Sequence, residues 1–121
     1  FRFFDEQKSR EFTILSLDIE GRQQTECNFI KCYLANSCHT LKHGKMYTCS
    51  TVPHINHFNE YYKCNLEITE KDGIDIYKAK SGQEILDFLA NPIPFCRYCR
   101  VNQRVYGNKW QKSEKSIDEW T

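Results

Sequence analysis

A chain of 121 residues with 40% hydrophobic and 27% charged side chains is long enough to bury one modest core and too short for two, so residues 1–121 are read as a single domain. Its formal net charge of +1 gives no global attraction to nucleic acid or anionic membranes. The mean hydropathy of −0.70 and the lack of any long apolar run argue against a membrane span. Phe1-Arg2-Phe3-Phe4-Asp5 has neither the basic start nor the apolar centre of a secretion signal, and without an initiator Met the chain is expected to be a segment of a longer protein.

Residues 1–10 read as a lead-in that cannot be assigned. Glu11 to Asp18 alternates Thr13, Leu15 and Leu17 on one side, which predicts a strand, with Gly21 in the turn that follows. Gln23 to Ile30 is ambiguous. Lys42-His43-Gly44-Lys45 is a turn signal between two short runs and predicts a β-hairpin. With His43 and Gly44 as its loop, Lys42 pairs with Lys45 and Cys38 falls opposite Cys49, where cross-strand Cβ atoms stand about 5 Å apart. Cys32 lies on the approach to this hairpin.

Thr51 followed by Pro53 predicts a capped helix that runs to about Tyr62 and places Ile55, Phe58 and Tyr62 on one face. Ile74 to Tyr77, after Gly73, reads as a short strand. Ser81-Gly82-Gln83-Glu84 is a capping-box pattern opening a second helix with an apolar stripe of Ile85, Leu86, Phe88 and Leu89. Asn91 ahead of Pro92 ends that helix, and Pro92 and Pro94 hold the chain extended up to Cys96 and Cys99. Arg104 to Tyr106 is expected to be a last strand before Gly107, and Ser116 to Trp120 a fragment of helix. The expected fold class is therefore a small α+β domain with a β-hairpin, short strands, two helices and a cysteine-ligated metal site.

Seven cysteines are an odd number, so a disulfide framework would leave a thiol unpaired. A Cys-x2-Cys pair at Cys96 and Cys99 together with Cys32, Cys38 and Cys49 points instead to reduced thiolates holding a metal, and to the cytoplasm. Cys27 and Cys64 are read as structural thiols. His54 and His57 share a helix face with no cysteine near them and are read as surface histidines. Cys38 and His39 are strand neighbours that point to opposite faces, so they do not form a nucleophile and base. No catalytic residue is assigned. From Arg97 to Lys112 five basic residues occur without an acidic one, interleaved with Tyr98, Tyr106 and Trp110; a solvated face is the plain reading, an anion or partner surface the sharper one.

The order Cys32-x11-Gly44-x4-Cys49, then a helix, then Pro92-Ile93-Pro94-Phe95-Cys96-x2-Cys99 resembles the twitch domain, the shorter relative of the SPASM domain that ends many radical S-adenosylmethionine (SAM) enzymes. The resemblance covers roughly residues 30–100. It implies an auxiliary [4Fe–4S] cluster held by Cys32, Cys49, Cys96 and Cys99, serving electron transfer or substrate positioning beside a radical SAM barrel domain in the parent chain. The Cys-x3-Cys-x2-Cys loop that binds the catalytic cluster in those enzymes does not occur in this sequence, so the resemblance implies an accessory domain without turnover of its own. Cys38 is the competing ligand, favoured by the hairpin register. A cubane spreads its ligand sulfurs wider than one zinc ion does, so Cys32 is expected for a cluster and Cys38 for zinc. The alternative function is a structural zinc module binding nucleic acid or protein, although zinc ribbons usually carry two Cys-x2-Cys pairs, and nucleic acid is the less expected partner. Zinc is also expected as a substitute for the cluster after preparation in air. Tyr47, Phe95 and Tyr98, beside the ligand positions, are candidates to exclude water.

Overall fold

The computed structural model describes residues 11–121; the lead-in stretch 1–10 lies outside the described residues. The fold is α+β, with four α-helices and two small antiparallel sheets. No helix among the described residues is long and apolar enough to cross a membrane.

Strand β1 (Glu11–Ile14) pairs with β5 (Val105–Lys109), with a register shift between Phe12 and Ile14. The strand expected to reach Asp18 loses its ladder at Ile14, and Leu17 then makes an isolated antiparallel bridge to Cys99. The ambiguous segment is helix α1 (Thr25–Lys31), and a second helix absent from the sequence reading, α2 (Tyr33–Ser37), follows it. Cys32 separates the two, and its sulfur caps α2 by accepting from the Ala35 backbone N–H. A five-residue helix is too short to show a periodicity, which is why the sequence hid it.

The hairpin forms as read. β2 (Thr40–Lys42) and β3 (Lys45–Tyr47) pair with Lys42 opposite Lys45, and His43 and Gly44 both take positive φ in the turn. β4 (Gly73–Asp75) adds a third strand beside β3. A 3₁₀ turn over Val52–His54 leads into α3 (Ile55–Tyr62), which ends at Lys63 in the left-handed region. Thr51 precedes that turn with helical backbone angles and makes no side-chain cap, contrary to expectation. Ser81 does cap α4 (Gly82–Leu89) by accepting from the Glu84 N–H, whereas Glu84 reaches back to the N–H of Lys80 and not to that of Ser81. The apolar stripe of α4 does not become core. None of its residues is fully buried, and Leu86 is exposed.

Two buried clusters make the interior. The larger joins Leu17, Val52, Ile55, Leu66, Ile93, Phe95 and Tyr98; the smaller joins Phe29, Cys32, Ala35 and Val101. Cys96 and Cys99 pack against both, so the turn that carries them is the seam of the molecule. That turn is a 3₁₀ segment, Pro94–Tyr98, entered from an extended Ile93.

Its entrance is fixed by Asp72, whose carboxylate is fully buried. One oxygen accepts from the Phe95 N–H at 2.6 Å, the other from the Thr69 N–H and hydroxyl at 2.7 and 2.8 Å. Asp72→Ala would leave those donors without an acceptor in the core, a loss expected to cost about 2–4 kcal/mol. Urea unfolding checks this; a change within about 0.5 kcal/mol would show that the Phe95 N–H has another partner.

Candidate metal centre

Four thiols converge. Cys32, Cys49, Cys96 and Cys99 line one small enclosed cavity, together with Asn28, Thr48, Phe95, Val101 and Arg104 among others. Cys32 comes from the junction of α1 and α2, Cys49 from just beyond β3, and the pair from the 3₁₀ turn. Cys38 does not reach it. The hairpin ladder stops at Thr40 and Tyr47, and Cys38 closes the C-terminus of α2 with irregular backbone angles and an exposed side chain. The register extrapolated from the turn thus places Cys38 correctly by counting and wrongly in space, because a helix end intervenes. Cys27 is exposed, and Cys64 is half-buried against the larger core.

The carboxamide of Asn28, one helical turn before Cys32 on α1 and buried, donates to the carbonyl oxygens of both Cys96 and Cys99. A single side chain therefore ties the position of Cys32 to that of the pair. On the opposite side, the segment after β1 runs along the turn: Asp18 N–H donates to the Tyr98 carbonyl, Arg100 N–H to that of Ser16, and Gln23 N–H to that of Arg97. The buried Asp18 carboxylate closes this segment on itself by accepting from Gln23 Nε2 and the N–H groups of Glu20 and Arg22. The Gln23 bond, those two backbone bonds and the charge of Arg100 hold its pKa below the usual carboxylate range against the effect of burial. Gly21 has φ +63°, and a Cβ there would stand 2.6 Å from the Tyr98 ring, so glycine is needed both for the turn and for the ring that covers it.

The cavity disfavours anionic sulfur. Burial pushes the Cys99 thiol up to about 12, with Cys49 and Cys96 adding to it, and pushes Cys96 up to about 11. Burial also raises Cys49, and the proximity of Cys32 adds to it. The space enclosed is about 20 Å³, room for one water-sized group, so anything larger requires the sulfurs to swing about χ1. Among the described residues no group of three or more His, Cys, Asp and Glu side chains stands in an arrangement that holds a single metal ion. Tetrahedral zinc with bonds of about 2.3 Å needs its sulfurs about 3.8 Å apart.

The wall carries four cysteine sulfurs and no carboxylate or imidazole, a donor set that suits soft or iron–sulfur coordination. Phe95 lines the cavity, while Tyr47 and Tyr98 stand behind it in the larger core. Thr48 is fully buried on the same wall, and its hydroxyl has no hydrogen-bond partner. A buried polar atom without a partner is uncommon and points to a group it would meet. His54 and His57 stack at 6.3 Å on a different surface, in an apolar groove with Phe58 and Trp120.

Sequence reasoning passed over Asn28, Asp72 and Thr48, and met Arg104 only as part of the basic run. Two of them leave a trace: Asn28 sits four residues before Cys32 on one helix face, and Thr69-x2-Asp72 has the spacing of a capping box. Comparison with family models, with curated proteins and with solved structures returns no match to this chain.

Raised thiol pKa values make stability depend on pH with a definite sign. Above the ordinary thiol value of 9.0 the unfolded chain releases protons that the folded chain keeps up to about 11 at Cys96 and about 12 at Cys99. The folded state is therefore fully stable below 9 and loses stability as pH rises through that window. Urea midpoints of the reduced, metal-free chain should fall with increasing pH; constant midpoints from about pH 8 to about 10.5 would mean the thiols ionise freely when folded.

Proposed function

We propose that the domain binds an auxiliary [4Fe–4S] cluster through Cys32, Cys49, Cys96 and Cys99, as an accessory part of a radical SAM enzyme. The observation that carries the reading is the selection made by the fold: of seven cysteines, the four that line one buried cavity are the four in the twitch-like order, and the competing Cys38 is outside. Two further points support it. The cavity wall carries four cysteine sulfurs and no carboxylate or imidazole. Part of the basic run is also turned to partners within the fold, Arg97 to Glu67 and Tyr98, and Arg100 to Asp18.

When bound, such a cluster moves single electrons. The chain's own part is to bring four sulfurs together from three separate elements, to keep water off them with Phe95, Ile93 and Val101, and to release their protons on loading. No residue here is assigned to bond-breaking chemistry; the substrate and the SAM site belong to the parent barrel domain in this reading.

Anaerobic reconstitution with iron and sulfide tests it. The wild type should take up about four irons per chain with a broad blue-edge absorption. Cys32→Ser, Cys49→Ser, Cys96→Ser and Cys99→Ser should each lose most of the iron, and Cys38→Ser and Cys64→Ser should keep it. Stoichiometric zinc with neither iron nor sulfide, or full loading without Cys32 and none without Cys38, would overturn the assignment.

A further inference from the structure

Resting on that reading, we propose that Arg104 and Thr48 are hydrogen-bond donors to the sulfurs of the bound cluster, and that together they raise its reduction potential.

Arg104 is the one charged residue on the cavity wall, which is otherwise built from the four cysteines and neutral side chains. Its place is set by the 3₁₀ turn Val101–Gln103 that joins the smaller core to β5. Val101 is buried at the start of that turn, the Arg104 N–H closes it onto the Val101 carbonyl, and Ser16 Oγ donates to the Gln103 carbonyl. The half-buried guanidinium shares the cavity wall with Cys32 and Cys99. Arginine keeps its charge at any physiological pH, so Arg104 is a cation in the wall. Neither nearby arginine substitutes for it: Arg97 lies over the Tyr98 ring at 4.7 Å, and Arg100 faces Asp18 at 3.8 Å.

Thr48 points to the same role independently. Its carbonyl pairs with His39 Nδ1 at 3.0 Å, but its hydroxyl, sealed from solvent beside Cys49, has neither donor nor acceptor. An orphan hydroxyl costs stability unless an acceptor arrives; sulfur in the cavity is that acceptor. Reduction adds one negative charge to the cluster. A cation and a hydroxyl donor at its sulfurs favour that state, the more so in a wall of low polarity, and so raise the potential.

Redox titration of the reconstituted chain, followed by electron paramagnetic resonance with iron measured per chain, tests this. Thr48→Val keeps the shape and removes the hydroxyl. Arg104→Gln removes the charge, and Arg104→Lys restores it without the planar fork. At full loading, Thr48→Val and Arg104→Gln should each shift the midpoint to more negative values, with Arg104→Lys between Arg104→Gln and the wild type. A tenfold loss in the reduced fraction corresponds to a shift of about 59 mV for one electron. Lys112→Gln, on an exposed segment, should leave the midpoint in place. In the metal-free chain Thr48→Val should be as stable as the wild type or more so, because the hydroxyl it removes has no partner; a purely structural threonine would show the reverse. Unchanged midpoints in loaded Thr48→Val and Arg104→Gln overturn the inference and leave the cluster reading intact, whereas a wild type that takes up no iron and sulfide defeats that reading first. Should Arg104→Gln fail to fold, Thr48→Val and the hyperfine coupling of ¹⁵N-arginine to the reduced wild-type cluster decide: coupling supports the contact, its absence refutes it.

Discussion

The rest of the structure depends on how the turn Pro94–Tyr98 and the following Cys99 are held. Short 3₁₀ turns have poor hydrogen-bond geometry and little intrinsic persistence, yet this one carries two thiols across the junction of both hydrophobic clusters. It is fixed from three directions: the buried Asp72 carboxylate at Phe95, the Asn28 carboxamide at the carbonyls of Cys96 and Cys99, and the backbone of Ser16 to Gln23 along its outer edge. The Asn28 and Asp72 supports are polar and buried, so each must be fully satisfied to avoid a penalty of the same size as its benefit. That requirement makes the turn specific. A shift of one residue would leave Asn28, Asp72 or both facing the wrong partner.

Asn28 adds a second consequence, because it lies on α1 just before Cys32. The helix therefore cannot move relative to the cysteine pair without breaking two hydrogen bonds at once. Cys32 is held from its other side as well, since its sulfur caps α2 and its carbonyl accepts from Asn36 Nδ2 at 2.8 Å. These bonds hold the backbone of Cys32, Cys96 and Cys99 in place although burial raises the cost of ionising the Cys96 and Cys99 thiols. The fold thus gathers thiols that would repel one another as thiolates.

The hairpin was the most legible element, because a two-residue loop of His43 and Gly44 determines the pairing register by itself. The same logic failed six residues away at Cys38, where α2 takes over from the strand; register counts hold only as far as the ladder does. Cys32, which lines the cavity, was singled out through a resemblance in spacing to the twitch domain and not through local geometry, since nothing in the sequence announces a helix of five residues capped by a sulfur. The helix α4 was read correctly from its cap and its stripe of Ile85, Leu86, Phe88 and Leu89, but periodicity reports an amphipathic face and not its depth: Phe88 packs against the larger core while Leu86 is exposed. Polar residues such as Asn28 and Asp72 escaped because no periodic signal attaches to a buried hydrogen bond.

The basic run shows how far charge counted along a sequence departs from charge displayed on a surface. Between Arg97 and Lys112 the sequence reads as a continuous cationic strip, yet its arginines turn to separate partners. Arg97 lies over Tyr98 and reaches Glu67, so it serves the ring that covers Gly21. Arg100 turns to the buried Asp18 carboxylate and so supports the segment that runs along the cysteine turn. Arg104 turns to the thiol cavity itself. The spacings of three and four residues follow the path of the chain through the extended Cys99 and the 3₁₀ turn beyond it, which faces successive side chains to different neighbours. What looks like one electrostatic feature is therefore three separate local ones, all directed at holding or neutralising the same cysteine-bearing turn.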